Sequence, residues 1–376
     1  MAQKNPINEA EDNSILSEIL TISNKLFKHK KIIEENFKKA EQLILNIQNE
    51  IHYLNIGLPS QPIKTLQEVI SINNINSQAI NSILELRDKR IVVCGESKDI
   101  SIFSINYEQK EWKLDIKLEN AHQDEIYDIC EINDKILVSC SNDNTIKIWK
   151  IKQNNTLLLK STLNNHTGYV AKVILLSLGK FASCSSDNSV KIWSCDEPFT
   201  KIISLSSEGR ITNIMKPQKK EILLASNFVK KELEVWELHD YQKLNSIHGV
   251  YTCCNSQGMI ELPNYRVAIS SRSEGNPIVI IDINNYNIEK HIIEQGLVTG
   301  ESSLCLLDSR SFLYVLNGKV IQISINNGYN IIYKSSNYKK LFGYGEMINI
   351  TVTEGYSRYL IVTNKSKGIN VMKPIY

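Results

Sequence analysis

Two passages of this chain are near copies of one another, and their spacing constrains the fold more than any other feature. The first opens with HQDEI at His122 and runs on to KILVSCSNDNTIKIW, ending at Trp149. The second opens with HTGYV at His166 and runs on to KFASCSSDNSVKIW, ending at Trp193. In each copy the Trp lies 27 positions after the His, and the copies stand 44 positions apart. A fixed period of this size means a repeat architecture. Each unit is too small to bury its own apolar face and stacks on its neighbours instead. Inside each copy, short runs of Ile, Val and Trp are separated by Asn, Asp and Ser, the pattern of strands joined by tight turns.

The two passages resemble WD40 repeats. In that family a histidine precedes the innermost strand of a blade, a serine lies on the second strand, an aspartate in the tight turn, and a tryptophan ends the third strand. The matching residues here are His122, Ser139, Asp143 and Trp149, then His166, Ser183, Asp187 and Trp193. The chemistry explains the set. The aspartate holds the imidazole, the imidazole reaches the serine hydroxyl, and the serine reaches the indole N–H, so that polar groups inside packed sheets keep partners. Such a set looks like a Ser-His-Asp triad. Its recurrence at a fixed period, each copy within one predicted sheet, points to a structural role for all eight residues.

The worn copies follow from the third-strand pattern I-x-I-W-x-I. Its tryptophan position is held in turn by Phe103, Trp149, Trp193, Trp236, Ile281, Ile323 and Met372. That predicts an all-β, seven-bladed propeller over residues 63–376, with four strands per blade. Ser97 and Lys230 stand where Asp143 would be, which leaves apolar packing to carry the blades beyond the second and third. The last repeat ends after its third strand, near Ile369–Met372. One spare extended run, 63–70, precedes the first repeat and is expected to supply the missing outer strand and cover an open edge.

Residues 15–56 read differently. They contain neither Gly nor Pro, and Ile33, Phe37, Ala40, Ile44, Ile47 and Ile51 follow one another in steps of four and three, one stripe of an α-helix. Residues 1–14 read as a flexible N-terminus, and the breakers of 57–62 as a linker. The stripe, with Ile33, Phe37, Ile44 and Ile51 as its contact residues, suits the chain's own globular part, a coiled coil with a second copy, or a helix of another protein. A helix ahead of a seven-repeat ring is similar in organisation to the β subunits of heterotrimeric G proteins. The likeness is one of architecture, with no residue signature of that group.

Composition narrows the function. With 43 Lys+Arg against 41 Asp+Glu, the formal charge of +2 gives no electrostatic case for nucleic acid as partner. No run approaches the ~20 apolar residues of a membrane span, and no secretory leader is apparent. The eight cysteines form no C-x-x-C pair and mostly sit beside apolar residues, as free thiols of a reducing cytoplasm do. The histidines are not clustered with them, so no zinc is expected. Phosphate-loop, dinucleotide, zincin and nucleophile-elbow motifs are all missing, and Asn317-Gly318-Lys319 reads as a hairpin turn. Asp124, Glu125, Asp128 and Glu131 surround one predicted strand without clean alternation. No cofactor and no catalytic residue are expected.

What remains is a ring of loops. In the resembled family, partners contact the narrow face near the residue before each innermost strand. Carried over by position, the residues are Glu125, Tyr169 and Arg210, with Tyr251 and Glu301 in the repeats that lack the histidine marker. The resemblance implies a non-catalytic protein-protein interaction scaffold working in a multi-protein complex, with the helix as an oligomerisation or docking device. The alternatives are a substrate-recognition subunit of a ubiquitin ligase and a propeller enzyme. Residue usage heavy in Asn, Ile and Lys is similar to that of an AT-rich protist genome, and suggests a ciliary or cytoskeletal setting in the cytoplasm.

Overall fold

Strand-forming residues bounded by turns set the whole described architecture. The computed structural model describes residues 62–72, 78–177, 179–252, 257–271, 278–293, 302–316, 319–326, 328–335, 347–352, 359–364 and 368–376. The stripe residues Ile33, Phe37, Ile44 and Ile51, together with Glu301, lie outside them. Every regular element among the described residues is a β-strand.

A first strand, β1 (Thr65–Ile72), precedes the repeats. Blade 1 is β2 (Ile80–Glu85), β3 (Ile91–Gly95), β4 (Ile100–Asn106) and β5 (Glu111–Leu118). Blade 2 is β6 (Ile126–Asn133), β7 (Ile136–Ser141), β8 (Ile146–Ile151) and β9 (Leu157–Leu163). Blade 3 is β10 (Val170–Ser177), β11 (Lys180–Ser185), β12 (Ser189–Ser194) and β13 (Lys201–Ser206). Blade 4 is β14 (Ile211–Met215), β15 (Ile222–Asn227), β16 (Glu232–Glu237) and β17 (Lys243–His248). Blade 5 is β18 (Met259–Leu262), β19 (Arg266–Ser270), β20 (Ile278–Asp282) and β21 (Asn287–Ile292). Blade 6 is β22 (Ser302–Asp308), β23 (Ser311–Leu316), β24 (Lys319–Ser324) and β25 (Ile331–Lys334). Blade 7 takes β26 (Met347–Val352), β27 (Leu360–Asn364) and β28 (Ile369–Ile375) from the end of the chain.

Six sheets run in simple sequence order, each strand antiparallel to the next. The seventh has the order β1-β28-β27-β26, so the fourth strand of blade 7 comes from the opposite end of the ring. That strand is Thr65–Ile72, two residues further along than the expected run 63–70. One bulge makes it work. The register with β28 slips between Glu68 and Ile70, which reverses the two-residue alternation of faces. Leu66 therefore packs with Leu313 and Val315 of blade 6, while Ile70 and Ile72 pack with Ile83 and Phe103 of blade 1. A single strand thus seals both neighbours of the closing blade.

The core is a cycle of seven interfaces. Each holds its own apolar cluster, drawn from two adjacent blades, and the cycle closes from blade 7 back to blade 1. Between blades 2 and 3, for instance, Val138 and Ile148 meet Phe181 and Trp193. Such sheets have apolar residues on both faces, which is why β3 and β15 are buried at every position. The outermost strands face water on one side, and Leu158, Leu159, Ile202 and Leu244 are exposed there.

Two irregularities recur. In blades 1 to 6 the pairing of third and fourth strands slips at the aromatic position, for example between Ile148 and Trp149 and between Ile192 and Trp193. In blades 1 to 4 the innermost strand also bulges after its first residue. Bulges raise local strand twist, which a radial stack of sheets requires.

Candidate functional site

The repeated polar set forms the framework on which the loops stand. In blade 2, His122 Nδ1 lies 2.9 Å from Asp143 Oδ2, and Nε2 lies 2.7 Å from Ser139 Oγ. Trp149 Nε1–H donates to the same Ser139 Oγ at 2.8 Å. Blade 3 repeats this with His166, Asp187, Ser183 and Trp193 at 2.7, 2.8 and 2.9 Å. The proton order follows. The indole can only donate, so Ser Oγ accepts from it and gives its own hydrogen to Nε2. Nδ1–H then donates to the aspartate.

Burial lowers both histidine pKa values by more than the aspartates raise them, so the rings are held neutral. Burial pushes Asp143 and Asp187 up, but hydrogen bonds outweigh it and hold both well below the usual carboxylate range. His122, Thr145 and the Gln123 N–H supply them to Asp143, and His166, Ser189 and Lys191 to Asp187. Ser139 and Ser183 have no exposed surface and spend the hydroxyl hydrogen on the imidazole. A hydroxyl with no access to substrate is no nucleophile, whatever its likeness to a triad.

Blade 4 departs from the expectation that apolar packing alone replaces the lost set. Four positions differ at once: Ser207 stands where His166 does, Ala225 for Ser183, Lys230 for Asp187, and Glu234 for Lys191. The buried Glu234 carboxylate accepts from Trp236 Nε1 at 3.0 Å, from Ser207 Oγ at 2.6 Å and from Asn227 Nδ2 at 3.1 Å. Lys243 on β17 closes the group at 3.3 Å. Blade 6 has another solution, with buried Gln322 donating to Ser311 Oγ and accepting from the backbone N–H of Ile63.

These networks fix one set of loops. The carbonyl of the residue before the innermost strand accepts from the backbone N–H just beyond the second strand, in four blades alike. The pairs are Ala79 with Glu96, Glu125 with Asn142, Tyr169 with Ser186, and Arg210 with Phe228, at 2.9–3.1 Å. Glu125, Tyr169 and Arg210 therefore hold one equivalent position in three consecutive blades. Tyr251 differs. It stands before Thr252, which bridges Ser271, whereas the regular strand β18 starts only at Met259.

The described residues of this face form two groups. In the first, Tyr127 O–H donates to Glu125 Oε1 at 2.8 Å, and its ring lies 5.5 Å from that of Tyr169. In the second, the Arg210 guanidinium lies over the Phe228 ring at 4.1 Å, and Phe228 meets Tyr251 edge-on at 5.6 Å. Sequence reasoning reached Glu125, Tyr169, Arg210 and Tyr251 but missed Tyr127 and Phe228, the rings that join them in pairs. The signal for Phe228 was its place directly after the second strand, matching Asn142 and Ser186.

A belt of polar side chains on the innermost strands was also missed. Ser82 Oγ donates to Asp128 Oδ1 at 2.8 Å, and Lys172 Nζ donates to Asn213 Oδ1 at 2.9 Å. The Val173 backbone N–H reaches Asp128 Oδ2 at 3.3 Å. All four side chains are buried, and each follows the bulge of its own strand. Burial raises the Asp128 pKa against the pull of Lys172, and lowers that of Lys172 against the pull of Asp128. Two charged groups held in a buried belt between blades are a device of register rather than of strength.

Four of the described cysteines are held as protonated thiols. Burial pushes Cys94, Cys130 and Cys140 well above their ordinary range, and Cys195 up to about 12. Among the described residues no group of three His, Cys, Asp or Glu could hold a metal ion, and no helix is long and apolar enough to cross a membrane.

Comparison with known families gives a match to the WD domain, G-beta repeat over residues 115–150 and 158–194. No curated protein matches the chain. Each matched segment begins inside the outer strand of one blade and ends with the third strand of the next. The sequence repeat is thus staggered by one strand from the structural blade, and β1 completes that stagger around the ring. With seven four-stranded sheets closed in this way, and its two best-preserved repeats matched directly, the chain has the seven-bladed WD40 β-propeller fold.

Proposed function

We propose that this protein is a non-catalytic interaction scaffold that receives a partner protein on the face carrying Glu125, Tyr169 and Arg210. One observation carries the reading. Three consecutive blades place an acid, an aromatic and a cation at one equivalent position, each held by the same backbone hydrogen bond. Side chains on loops fixed by a rigid scaffold lose little freedom on binding, and Tyr and Arg are favoured interface anchors. The WD40 propeller is a scaffold fold, and the buried Ser139 and Ser183 hydroxyls serve the sheets rather than a substrate. The setting in which the scaffold works, with a ciliary or cytoskeletal complex as our reading, rests on residue usage.

Affinity purification from the native cell, with the double variant Tyr169→Ala/Arg210→Ala beside the parent chain, tests the proposal. The variant is expected to melt as the parent does and to lose one or more partners. Recovery of every partner at unchanged affinity would place docking elsewhere on the ring.

A further inference from the structure

We infer that Arg210 receives a carboxylate of the bound partner, presented beside the aromatic wall of Phe228 and Tyr251. The inference rests on the scaffold reading above and names the chemistry of its docking site. Arg210 is half-buried, and its guanidinium carbon lies over the Phe228 ring, 4.1 Å from the centroid. Its Nε is fully buried with no hydrogen-bond partner among the described residues. The terminal nitrogens are not among the buried, unpartnered atoms, and no acceptor among the described residues takes their hydrogens, so they open to the surface.

A guanidinium usually spends its five donors on carboxylates, carbonyls or water. Here an aromatic ring covers the guanidinium, and no acceptor among the described residues takes its hydrogens. The arrangement is a preorganised fork that matches a carboxylate with two parallel N–H···O bonds. Of the two neighbouring lysines, Lys230 is engaged, its ammonium 2.6 Å from Glu208, and Lys231 lies against the Tyr251 ring, 6.0 Å from its centroid. The planar guanidinium fork matches the planar carboxylate group and its single charge, with phosphate as the competing outcome of the test. Beside it stand the edge-packed Phe228 and Tyr251 rings and the exposed Val229 side chain, an apolar surface for the residues that flank the acid.

The probe is a surface array of short random peptides, read with the purified full-length protein. Each hit is resynthesised with its Asp and Glu changed to Asn and Gln, and with phosphoserine in place of the acid. The parent chain is expected to bind the acidic form about tenfold or more tightly than the amide form, the usual weight of a charge-assisted pair. Arg210→Gln should erase that ratio while leaving the melting temperature unchanged. Arg210→Lys, which keeps charge without the fork, should retain only part of it.

Equal binding of acid and amide forms by the parent chain overturns the inference. So does an unchanged ratio in Arg210→Gln, or an array with no peptide whose binding depends on Arg210. Preference for phosphoserine by tenfold or more assigns the fork to phosphate and overturns the carboxylate. Loss of partners by the double variant in cells, together with any of these results, leaves the docking face in place and removes only its chemistry.

Discussion

Blades 3 and 4 meet the same demand with opposite charges. Both end their third strand in a tryptophan whose indole N–H is buried and needs an acceptor. Blade 3 uses Ser183 on the adjacent strand, backed by His166 and Asp187. The carboxylate sits in the turn, and buried Lys191 donates to it at 2.9 Å. Blade 4 moves the carboxylate to Glu234, two residues before the tryptophan on the same strand, so that both side chains share one face. Lys243 of the outer strand then replaces the lysine of the third strand. The demand is set by the packed sheet, and the residues that meet it are interchangeable as a group. Exchange of the aspartate or the lysine alone would leave a charge without its partner, so those two positions must change together.

The largest effect should come from Asp187→Ala. That change strands the imidazole, two backbone donors, the Ser189 hydroxyl and a buried ammonium. Removing one member of a buried ion pair costs about 3–5 kcal/mol. Asp143→Ala should cost less, about 1–3 kcal/mol, because the neighbouring Lys147 donates to the Ala121 carbonyl instead. Urea unfolding of both variants checks the order. Equal midpoints would mean that Lys191 contributes nothing to the difference.

Glu234→Ala should rank beside Asp143→Ala, at about 2–3 kcal/mol, since it orphans the Trp236 indole N–H and the Ser207 and Asn227 donors. Its lysine, Lys243, is about a third exposed and keeps water as a partner. Glu234→Gln retains an acceptor for the indole and should cost less than half as much. Tryptophan fluorescence would also report the change. If Glu234→Ala leaves both midpoint and emission unchanged, blade 4 stands on apolar packing alone.

Acid separates the blades further. The folded-state pKa of His122 and of His166 lies below the ordinary 6.5, so between that value and the folded one the unfolded chain binds more protons. Stability from these two rings is complete above about pH 6.5 and is lost as pH falls below it. Asp143 and Asp187, depressed below 3.8, add a second loss that begins only under that value. Replacing both histidines by Gln should lower stability at pH 7.5 yet flatten the decline between pH 6.5 and 5. The group around Glu234 in blade 4 holds no histidine. A double variant with an undiminished slope would assign the titration to other residues.

Much of this was legible in the chain. The His–Ser–Asp–Trp order betrayed the sheets of blades 2 and 3, because each landmark lies at a fixed place relative to a turn. The seven third strands were legible from Ile-x-Ile patterns even where Trp gave way to Ile281, Ile323 and Met372. The blade 4 group was hidden because Glu234 reads as an ordinary surface acid until the pairing with β15 puts it opposite Ala225. The belt was hidden for a different reason. A bulge between Ile126 and Asp128 interrupts the two-residue period, so no alternation in the sequence reveals that Asp128 is buried. Tyr127 and Phe228 were missed because ring pairing joins residues from different strands and different blades, which spacing along one chain does not encode.

The smallest effect expected concerns the turn between second and third strands, where a left-handed residue follows the aspartate position. Asn188 occupies it in blade 3 with φ 65°, and Lys231 in blade 4 with φ 53°. Asn tolerates this region better than Lys, because its short side chain relieves the crowding of Cβ against the backbone with local hydrogen bonds. Lys231 has a compensating contact, its ammonium 6.0 Å from the Tyr251 ring centroid, worth roughly 0.5 kcal/mol at an exposed site. Left-handed strain for a residue other than Gly or Asn is about 1–2 kcal/mol, so the strain outweighs the contact. Lys231→Asn should therefore raise stability by roughly 0.5 kcal/mol, and Asn188→Lys, which gains no ring, should lower it by about 1 kcal/mol. Guanidinium unfolding of the two single variants and of the exchanged pair measures both signs. A loss of stability in Lys231→Asn would show that the lysine–tyrosine contact outweighs the backbone, and that blade 4 keeps its lysine for the face it shares with Tyr251.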